Sequence, residues 1–387
     1  MIVNIEFLDE EPLENVITSL HYQIDKTIFF GYSDTIEKRK ESTENFLKKY
    51  CGVSEVVFHP VSRTNLESIL KTMRGVVEKE RAQKNKVFFD VTGGESLILV
   101  TFGILSTELK CSMHMYDVEK QKLVELNRDI KPFMSETAPA REVALNLDSF
   151  IEMYGGVINY RLQKENKYVD DPEFEQEILK LWDISSKNPD HWNQFSNFLK
   201  GCCRQEEDKK ASLKVCLSTR DVLEQLRKNN RFRTPAMLNR LLDECAKAGF
   251  LLNVVHENGR YEFTYKNERV KEYLWDAGSV LEMYTFLQER KNSDDCRVGV
   301  HLDWDGVIHN QPSLDTLNEI DVLTLNGCIP TFISCKNGNV NQMALYELET
   351  VADKFGGKYA KKVLVAPQKL TDTHLLRAKE MGIEVRS

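Results

Sequence analysis

The chain has 387 residues, of which 41% are hydrophobic and 29% are charged, and its formal net charge is -8 at pH 7. This length suits two or three domains, and the composition is that of a soluble globular protein. No apolar run is long enough for a transmembrane helix, and the first residues lack the pattern of a signal peptide, so we expect a cytoplasmic protein with no membrane partner. The nine scattered cysteines, with no Cys-x-x-Cys pair, predict reduced thiols and no zinc cluster.

The first third of the chain alternates short apolar strands with helical stretches. The periodicity predicts strands at residues 2–8, 27–32, 55–60, 86–89 and 112–116, and helices at residues 36–50, 66–83 and 96–108. This alternation predicts a parallel, doubly wound α/β domain. In such folds ligands bind at the carboxyl ends of the strands.

Three of these strand ends carry unusual residues. Residues 9–12 read Asp-Glu-Glu-Pro, residues 31–34 read Gly-Tyr-Ser-Asp, and residues 90–96 read Asp-Val-Thr-Gly-Gly-Glu-Ser. Gly93 and Gly94 let the backbone approach a ligand, and amides at the start of the next helix can donate to a phosphate. The sequence is neither Gly-x-Gly-x-x-Gly nor a Walker loop, so it does not support a dinucleotide or nucleoside-triphosphatase site. A plain left-handed turn is the alternative.

The Asp-x-Thr-Gly-Gly sequence of residues 90–94, which follows an apolar strand, resembles the CARF domain, the cyclic oligoadenylate sensor of type III CRISPR systems. The resemblance covers residues 1–145 and implies a homodimer that shares one ligand across a two-fold axis. An acidic loop that faced phosphate would repel it, so we expect residues 9–11 to present backbone amides or to accept from ribose hydroxyls and adenine amino groups. The residues that the resemblance places around the nucleotide are Asp9, Glu10, Glu11, Ser33, Asp34, Thr92, Gly93, Gly94 and Glu95.

Residues 155–275 form a middle unit that we interpret as a winged-helix-like connector. Two helices are predicted near residues 222–227 and 237–248, and strand-like runs at residues 251–255 and 261–265 are joined by Glu-Asn-Gly. The unit either contacts duplex DNA or serves as an inert spacer, because acidic residues dilute its positive charge. The arginines that would contact nucleic acid are Arg231, Arg233, Arg240 and Arg260.

The most informative pattern lies near the C-terminus. Residues 320–325 and 329–333 are apolar runs joined by Asn326-Gly327, which predicts a hairpin with Asp321 and Lys336 near the same end of neighbouring strands. An Asp on one strand and a Lys on the next is how metal-dependent nucleases assemble a site that cuts phosphodiesters. A solvated charge pair at the end of a hairpin is the alternative.

The predicted order of helix, three strands, helix and strand over residues 276–387 resembles the core of the PD-(D/E)xK restriction-endonuclease-like superfamily. The resemblance implies that Asp321 is a metal ligand, that the carbonyl of Cys335 is a second, and that Lys336 orients or activates the attacking water. Glu282 matches a helix carboxylate that completes the metal shell in many members. Mn²⁺ or Mg²⁺ prefers such hard oxygen ligands.

One residue departs from the pattern of this superfamily. Ser334 stands where a second carboxylate usually precedes the Lys by two residues. The site then either works with Asp321, Glu282 and a nearby acid such as Glu319 or Asp303, or has lost its activity.

The predicted fold class is therefore α/β, with a Rossmann-like CARF domain (1–145), a winged-helix-like unit (155–275) and a restriction-endonuclease-like domain (276–387). This order resembles the CARF nuclease effectors of type III CRISPR defence. The resemblance implies a metal-dependent endonuclease that cuts DNA, RNA or both, with single strands favoured, and that is activated by cyclic tetra-adenylate or the hexamer. The alternative is a cyclic-nucleotide-gated regulator in which the winged-helix-like unit binds DNA and the nuclease-like domain is a catalytically dead scaffold or nucleic-acid clamp.

Overall fold

A computed structural model of the chain describes residues 1–127, 129–162, 169–202, 212–227, 235–257, 259–309, 317–338 and 340–387. Within these ranges the strands form two six-stranded sheets and one three-stranded sheet. The strands are β1 (Ile2–Phe7), β2 (Lys26–Gly31), β3 (Glu55–Pro60), β4 (Lys86–Asp90), β5 (Met113–Asp117), β6 (Lys122–Glu125), β7 (Val157–Ile158), β8 (Lys214–Ser218), β9 (Leu251–Val255), β10 (Arg260–Tyr265), β11 (Asp295–Asp303), β12 (Leu317–Asn326), β13 (Ile329–Cys335), β14 (Lys361–Val365) and β15 (Ile383–Arg386).

The helices alternate with these strands at both ends of the chain. They are α1 (Ile17–His21), α2 (Ser33–Tyr50), α3 (Leu66–Ala82), α4 (Ser96–Leu109), α5 (Met134–Thr137), α6 (Leu147–Met153), α7 (Phe174–Lys187), α8 (Pro189–Cys202), α9 (Thr219–Arg227), α10 (Pro235–Lys247), α11 (Glu268–Trp275), α12 (Ser279–Glu289), α13 (Gln342–Gly356) and α14 (Asp372–Glu380), with short 3-10 helices at Leu13–Asn15 and Gly357–Tyr359.

The N-terminal sheet has the strand order β3-β2-β1-β4-β5-β6. Its first five strands are parallel, and β6 is antiparallel to β5. The five predicted strands and three predicted helices are confirmed within a few residues, as is the Rossmann-like alternation. The chain moves outward from β1 to β3 and then returns to β4 on the other side of β1, so the topological switch point lies between β1 and β4.

The two faces of this sheet are covered differently. Ile69 of α3 and Phe102 of α4 pack with Phe30 and Phe89 against one face. Phe29 on the other face belongs to a larger hydrophobic core that also contains α6, α13 and one face of the C-terminal sheet. The first and last units are therefore joined by a common apolar core as well as by the chain that links them.

The middle unit contains α7 to α11 and the sheet β8-β10-β9. Both predicted helices and the predicted hairpin are present, and β8 adds a strand that the sequence did not predict. Arg240 lies 3.6 Å from Glu244, and Arg260 pairs with Glu262, so both cations have acidic partners. Arg231 and Arg233 lie outside the described residues. The winged-helix interpretation remains a prediction.

The C-terminal sheet has the order β15-β14-β13-β12-β11-β7. The predicted order of helix, three strands, helix and strand is confirmed and is followed by α14 and β15. Helix α12 packs on one face of the sheet and α13 on the other. Strand β7 comes from the range predicted as connector, yet it pairs with β11. The predicted run of residues 320–325 is longer in the structure, because pairing with β11 extends β12 back to Leu317, so Asp321 lies inside the strand and not near its end.

Candidate functional site

The C-terminal sheet forks at Asp321, which means that the neighbouring strands β12 and β13 stop pairing there. Strand β12 pairs with β13 from Asn326 back to Val322, but it remains paired with β11 as far as Leu317. Strand β13 stays alongside β14 up to Cys335. The neighbouring strands β12 and β13 therefore separate beyond Val322, and Asp321 is the first residue past the point of separation.

The side-chain alternation of β12 reverses at the same place. Val322 belongs to the core beneath α12, whereas Ile320 belongs to the core on the opposite face of the sheet. Gly299, which lies opposite Asp321 in the register with β11, has a φ of 59°. This left-handed conformation favours glycine and allows β11 to reverse together with its partner. Asp321 is thereby directed within the sheet towards β13, where its carboxylate meets Cys335.

The carboxylate of Asp321 is held by the end of β13. Its Oδ2 accepts a hydrogen bond from the backbone N–H of Cys335 at 2.5 Å and another from the hydroxyl of Ser334 at 3.2 Å. The ammonium of Lys336 lies 3.5 Å from the same oxygen. The side chain of Asp321 is 13% exposed and that of Lys336 is 39% exposed, so the pair is sheltered on one side only. Ser334 donates to Asp321 and does not add a second negative charge.

Glu282 of α12 belongs to the same group of charges. Burial raises the pKa of the Cys335 thiol well above its ordinary value, and the carboxylates of Asp321 and Glu282 raise it further, while Lys336 acts in the opposite direction. The hydroxyl of Thr285, three residues after Glu282 on the same helix, lies 3.5 Å from the Cys335 sulfur. The structure therefore brings Asp321, Ser334 and Lys336 together at Cys335, and the helix that carries Glu282 packs beside them.

The oxygen donors of these residues are of the chemical type that Mn²⁺ or Mg²⁺ prefers. Asp321 and Glu282 offer carboxylate oxygens, and the carbonyl of Cys335 offers a third hard oxygen. Within the described ranges, no group of three or more His, Cys, Asp or Glu side chains is arranged to hold a metal ion. A metal shell here would consequently rest on two side chains, a backbone oxygen and water.

The residue after Lys336 is fixed by an amide network. The Nδ2 of Asn337 donates to the carbonyl of Ala277 at 3.0 Å and to Oδ1 of Asn193 at 3.1 Å, and Asn193 donates back to the carbonyl of Asn337. These bonds join the end of β13 to the segment before α12 and to α8. Sequence reasoning missed this network, because its three members are far apart in the chain and none stands in a recognisable motif.

The second candidate site lies at the switch point of the N-terminal sheet. The Oδ2 of Asp9 accepts from the backbone N–H of Gly94 at 2.9 Å, so the loops after β1 and β4 are directly joined. The amide and hydroxyl of Thr92 both donate to Oδ1 of Asp90, at 2.9 and 2.5 Å. Gly94 has a φ of 130°, a conformation that L residues with side chains rarely adopt. The predicted Thr-Gly-Gly turn is thus held from both sides by carboxylates.

The other predicted nucleotide residues line the same edge of the sheet. Ser33 is exposed in the first turn of α2, and Asp34 beside it forms two hydrogen bonds with Arg63, at 2.8 and 2.7 Å. The guanidinium of Arg63 lies 3.9 Å from the centre of the Tyr32 ring, and the Tyr32 hydroxyl donates to Glu95 at 2.9 Å. Burial and the bond to Glu95 raise the pKa of Tyr32 to about 12. Sequence reasoning missed Arg63, although it follows the third parallel strand at this edge.

The acidic residues of the loop after β1 contact different parts of the molecule. Glu10 is exposed, whereas the carboxylate of Glu11 accepts from the hydroxyl of Tyr154 and from the backbone N–H of Lys358. Glu11 is therefore turned towards the C-terminal unit. Among the residues that the structure describes, Asp9 is the one of these three acidic residues that contacts the Thr-Gly-Gly turn.

Asp90, which precedes the Thr-Gly-Gly turn, belongs to a buried polar group. Burial alone would raise the pKa of Asp90, but the nearby His114 and the hydroxyls of Thr18 and Thr92 outweigh it, and the pKa falls to about 2. Oδ2 of Asp90 lies 2.5 Å from the hydroxyl of Thr18 and 3.3 Å from Nε2 of His114. Burial and the charge of Asp90 raise the pKa of neighbouring Glu6 well above its ordinary value.

No protein-family model matches the chain, and no curated protein matches it. Two solved structures are similar to it over nearly its whole length. The protein VC1899 from Vibrio cholerae has a TM-score of 0.72 and 18% identity, over 100% of this chain and 93% of that chain. Can2 from Sulfobacillus thermosulfidooxidans, in complex with cyclic tetra-adenylate, has a TM-score of 0.66 and 14% identity, over 99% of this chain and 92% of that chain.

The chain shares its fold with both structures. At these identities the similarity establishes the fold alone, because one fold can carry different sites and activities. Among the described residues, no helix is long and apolar enough to span a membrane.

Proposed function

We propose that the protein is a metal-dependent nuclease of type III CRISPR defence that is activated by a cyclic oligoadenylate. The observation that carries the proposal is the meeting of Asp321 and Lys336 at Cys335, at the fork of the C-terminal sheet and beside the helix that carries Glu282. The same chain carries a glycine turn at the switch point of its N-terminal sheet. Its full-length similarity to Can2, whose structure contains cyclic tetra-adenylate, supports the pairing of these two sites.

The residues at the fork have distinct roles in this proposal. A bound Mn²⁺ or Mg²⁺ would supply Lewis acidity and neutralise charge on the scissile phosphodiester. Asp321 and Glu282 would hold it, and the bond from the Cys335 N–H fixes the orientation of the Asp321 carboxylate. Lys336 is partly exposed beside them and is placed to stabilise negative charge on the phosphate and to orient the attacking water.

The N-terminal turn would receive the activator. Gly93 and Gly94 are partly exposed and precede the start of α4, where the helix dipole favours phosphate. Arg63 adds a cation at the same edge of the sheet, beside the ring of Tyr32. Cyclic tetra-adenylate is the activator that we propose, with the hexamer as the second choice.

A second copy of the chain would complete this pocket. Val100 and Ile104 lie one turn apart on α4 and are 54% and 41% exposed, and an added Cβ on Gly103 between them would meet no atom within 4 Å. This apolar stripe begins one turn from the nucleotide turn, so pairing of two α4 helices would place both turns around one ligand. We therefore propose a homodimer.

A ligand-gated regulator that only binds nucleic acid is the second candidate. Ser334 favours it, because a site with one strand carboxylate carries less charge for a metal. Against it, Arg240 and Arg260 of the middle unit already pair with acidic residues, which weakens the case for duplex recognition there.

Cleavage assays separate the two candidates. Wild-type protein, Lys336→Ala and the matched surface control Lys379→Ala would be incubated with Mn²⁺, labelled single-stranded DNA or RNA, and each cyclic oligoadenylate. We expect cleavage by wild type and the control that needs both Mn²⁺ and one ring size, and its loss in Lys336→Ala. Unchanged cleavage in Lys336→Ala would contradict the site, and no cleavage by wild type under any ligand would support the regulator.

A further inference from the structure

Glu14 connects the nucleotide turn to the C-terminal unit. It lies in the 3-10 helix Leu13–Asn15, and its side chain is only 3% exposed. Its Oε1 accepts from the hydroxyl of Tyr359 at 2.7 Å and lies 2.5 Å from the ammonium of Lys358. Its Oε2 faces the other way, and a Cβ added to Gly93 would lie 2.9 Å from it. One buried carboxylate thus touches the turn on one side and the C-terminal unit on the other.

A neighbouring carboxylate strengthens the same junction. Glu11 accepts from the hydroxyl of Tyr154 and, at 3.0 Å, from the backbone N–H of Lys358. Gly357 has a φ of 59°, and any side chain at that position would collide with Glu11. The 3-10 helix Gly357–Tyr359 is therefore fitted closely against the loop that follows β1.

The residue just before this 3-10 helix, Gly356 at the end of α13, packs against the strand that carries the proposed nuclease site. A Cβ added to Gly356 would lie 2.6 Å from the ring of Phe332 in β13. Phe332 is three residues before Cys335, whose N–H holds Asp321, and four residues before Lys336. Close packing of this kind transmits small displacements, because protein interiors have little free volume.

The chemistry of Glu14 makes the junction sensitive to small movements. Burial raises the pKa of Glu14, and the hydrogen bonds from Lys358 and Tyr359 oppose this effect. A buried carboxylate that loses its cation and its hydroxyl donor is strongly disfavoured, so Glu14 and its two partners must move together.

We infer that Glu14 is a positioning residue that couples ligand binding at the nucleotide turn to the position of β13. The coupling runs through Lys358 and Tyr359. A ligand that contacts the turn at Gly93 displaces the carboxylate behind it, and the displacement reaches Phe332 through the 3-10 helix Gly357–Tyr359. The inference rests on the proposed function and concerns how its two sites are connected. It gives Lys358 and Tyr359 a role in coupling the two sites.

The test uses a double variant, Lys358→Ala with Tyr359→Phe, in the full chain. Its matched control is Lys379→Ala with Tyr346→Phe, which removes one ammonium and one hydroxyl from the surface of the same unit, where Tyr346 contacts Gln342 and Arg377. Affinity for cyclic tetra-adenylate is measured by calorimetry, and amide hydrogen exchange of residues 9–15 and 329–335 is measured with and without this ligand. Cleavage of labelled single strands is measured at saturating ligand.

We expect the double variant to bind cyclic tetra-adenylate within about threefold of wild type, but to lose about tenfold or more of its activated cleavage rate. The ligand should still alter exchange in residues 9–15 of the double variant, whereas the change in residues 329–335 should disappear. The control should behave as wild type. Tyr359→Phe alone should give a smaller effect of the same kind, and it provides the comparison if the double variant does not fold.

Two results obtained with the variants would overturn the inference. The first is a ligand-induced exchange change in residues 329–335 that persists in both Tyr359→Phe and the double variant. The second is a loss of affinity as large as the loss of cleavage, which would make Lys358 and Tyr359 part of the binding site. If wild type binds the ligand and shows both exchange changes without cleaving, the link stands and the nuclease proposal fails. If wild type does not bind cyclic tetra-adenylate, both fail.

Discussion

Asp90→Asn should lower the free energy of unfolding of the N-terminal sheet by about 2 kcal/mol. The partners of Asp90 lower its pKa from 3.8 to about 2 in spite of burial, chiefly through His114 and through the hydroxyls of Thr18 and Thr92. This shift corresponds to about 2 kcal/mol of folding free energy at neutral pH. Because the folded state has the lower pKa, the contribution is complete at pH 7 and is lost as the pH falls through 3.8 towards 2.

Native-state amide exchange in β1 and β4 measures this effect where it should occur. All four tryptophans follow residue 145, so tryptophan fluorescence reports the rest of the chain and should change little. We expect the free energy of opening in β4 to fall by about 2 kcal/mol at pH 7, with a smaller difference near pH 3. The control is Asp34→Asn, which removes an exposed partner of Arg63. A loss in β4 below about 0.5 kcal/mol, or an equal loss in the control, would refute the reasoning.

Three further changes test the two sites and the buried group. In Gly94→Arg, the φ of 130° and a Cβ 3.1 Å from Leu99 should strain the turn and weaken binding of cyclic tetra-adenylate about tenfold or more in calorimetry; unchanged affinity would count against the pocket. In Glu6→Gln, loss of a carboxyl whose pKa is raised above 4.5 by burial should raise the melting temperature increasingly as the pH rises above 4.5; a gain independent of pH would be contrary to this. In Ser334→Asp, a second carboxylate beside Asp321 should lower the Mn²⁺ concentration for half-maximal cleavage roughly tenfold, and no shift would argue against a metal at that position.

Much of the fold could be predicted from periodicity alone. Strands and helices of the two terminal units have regular apolar patterns, and the structure places them within a few residues of the predicted bounds. The elements that were missed are short or form through distant partners. Strand β7 has two residues and exists because it pairs with β11, and β8 is a strand because β10 lies beside it.

The sites were predictable to the extent that their residues stood in local motifs. Asp321 and Lys336 could be paired because a hairpin with a strong turn dipeptide separates them. The reversal at Gly299 was hidden, because a glycine in a strand has several possible meanings until its register is known. Glu14 was also missed, since its partner Lys358 is more than 300 residues away and the contact depends on the packing of two units.

The most direct test of the account compares wild type with Asp321→Asn, with cleavage of labelled single-stranded DNA and RNA followed at saturating Mn²⁺ as cyclic tetra-adenylate is titrated. We predict that wild type cleaves only when the ligand is bound, and that Asp321→Asn binds the ligand with unchanged affinity but does not cleave. Cleavage by wild type that does not depend on the ligand, or full cleavage by Asp321→Asn, would contradict the claim that a nucleotide at the N-terminal turn controls chemistry at the fork.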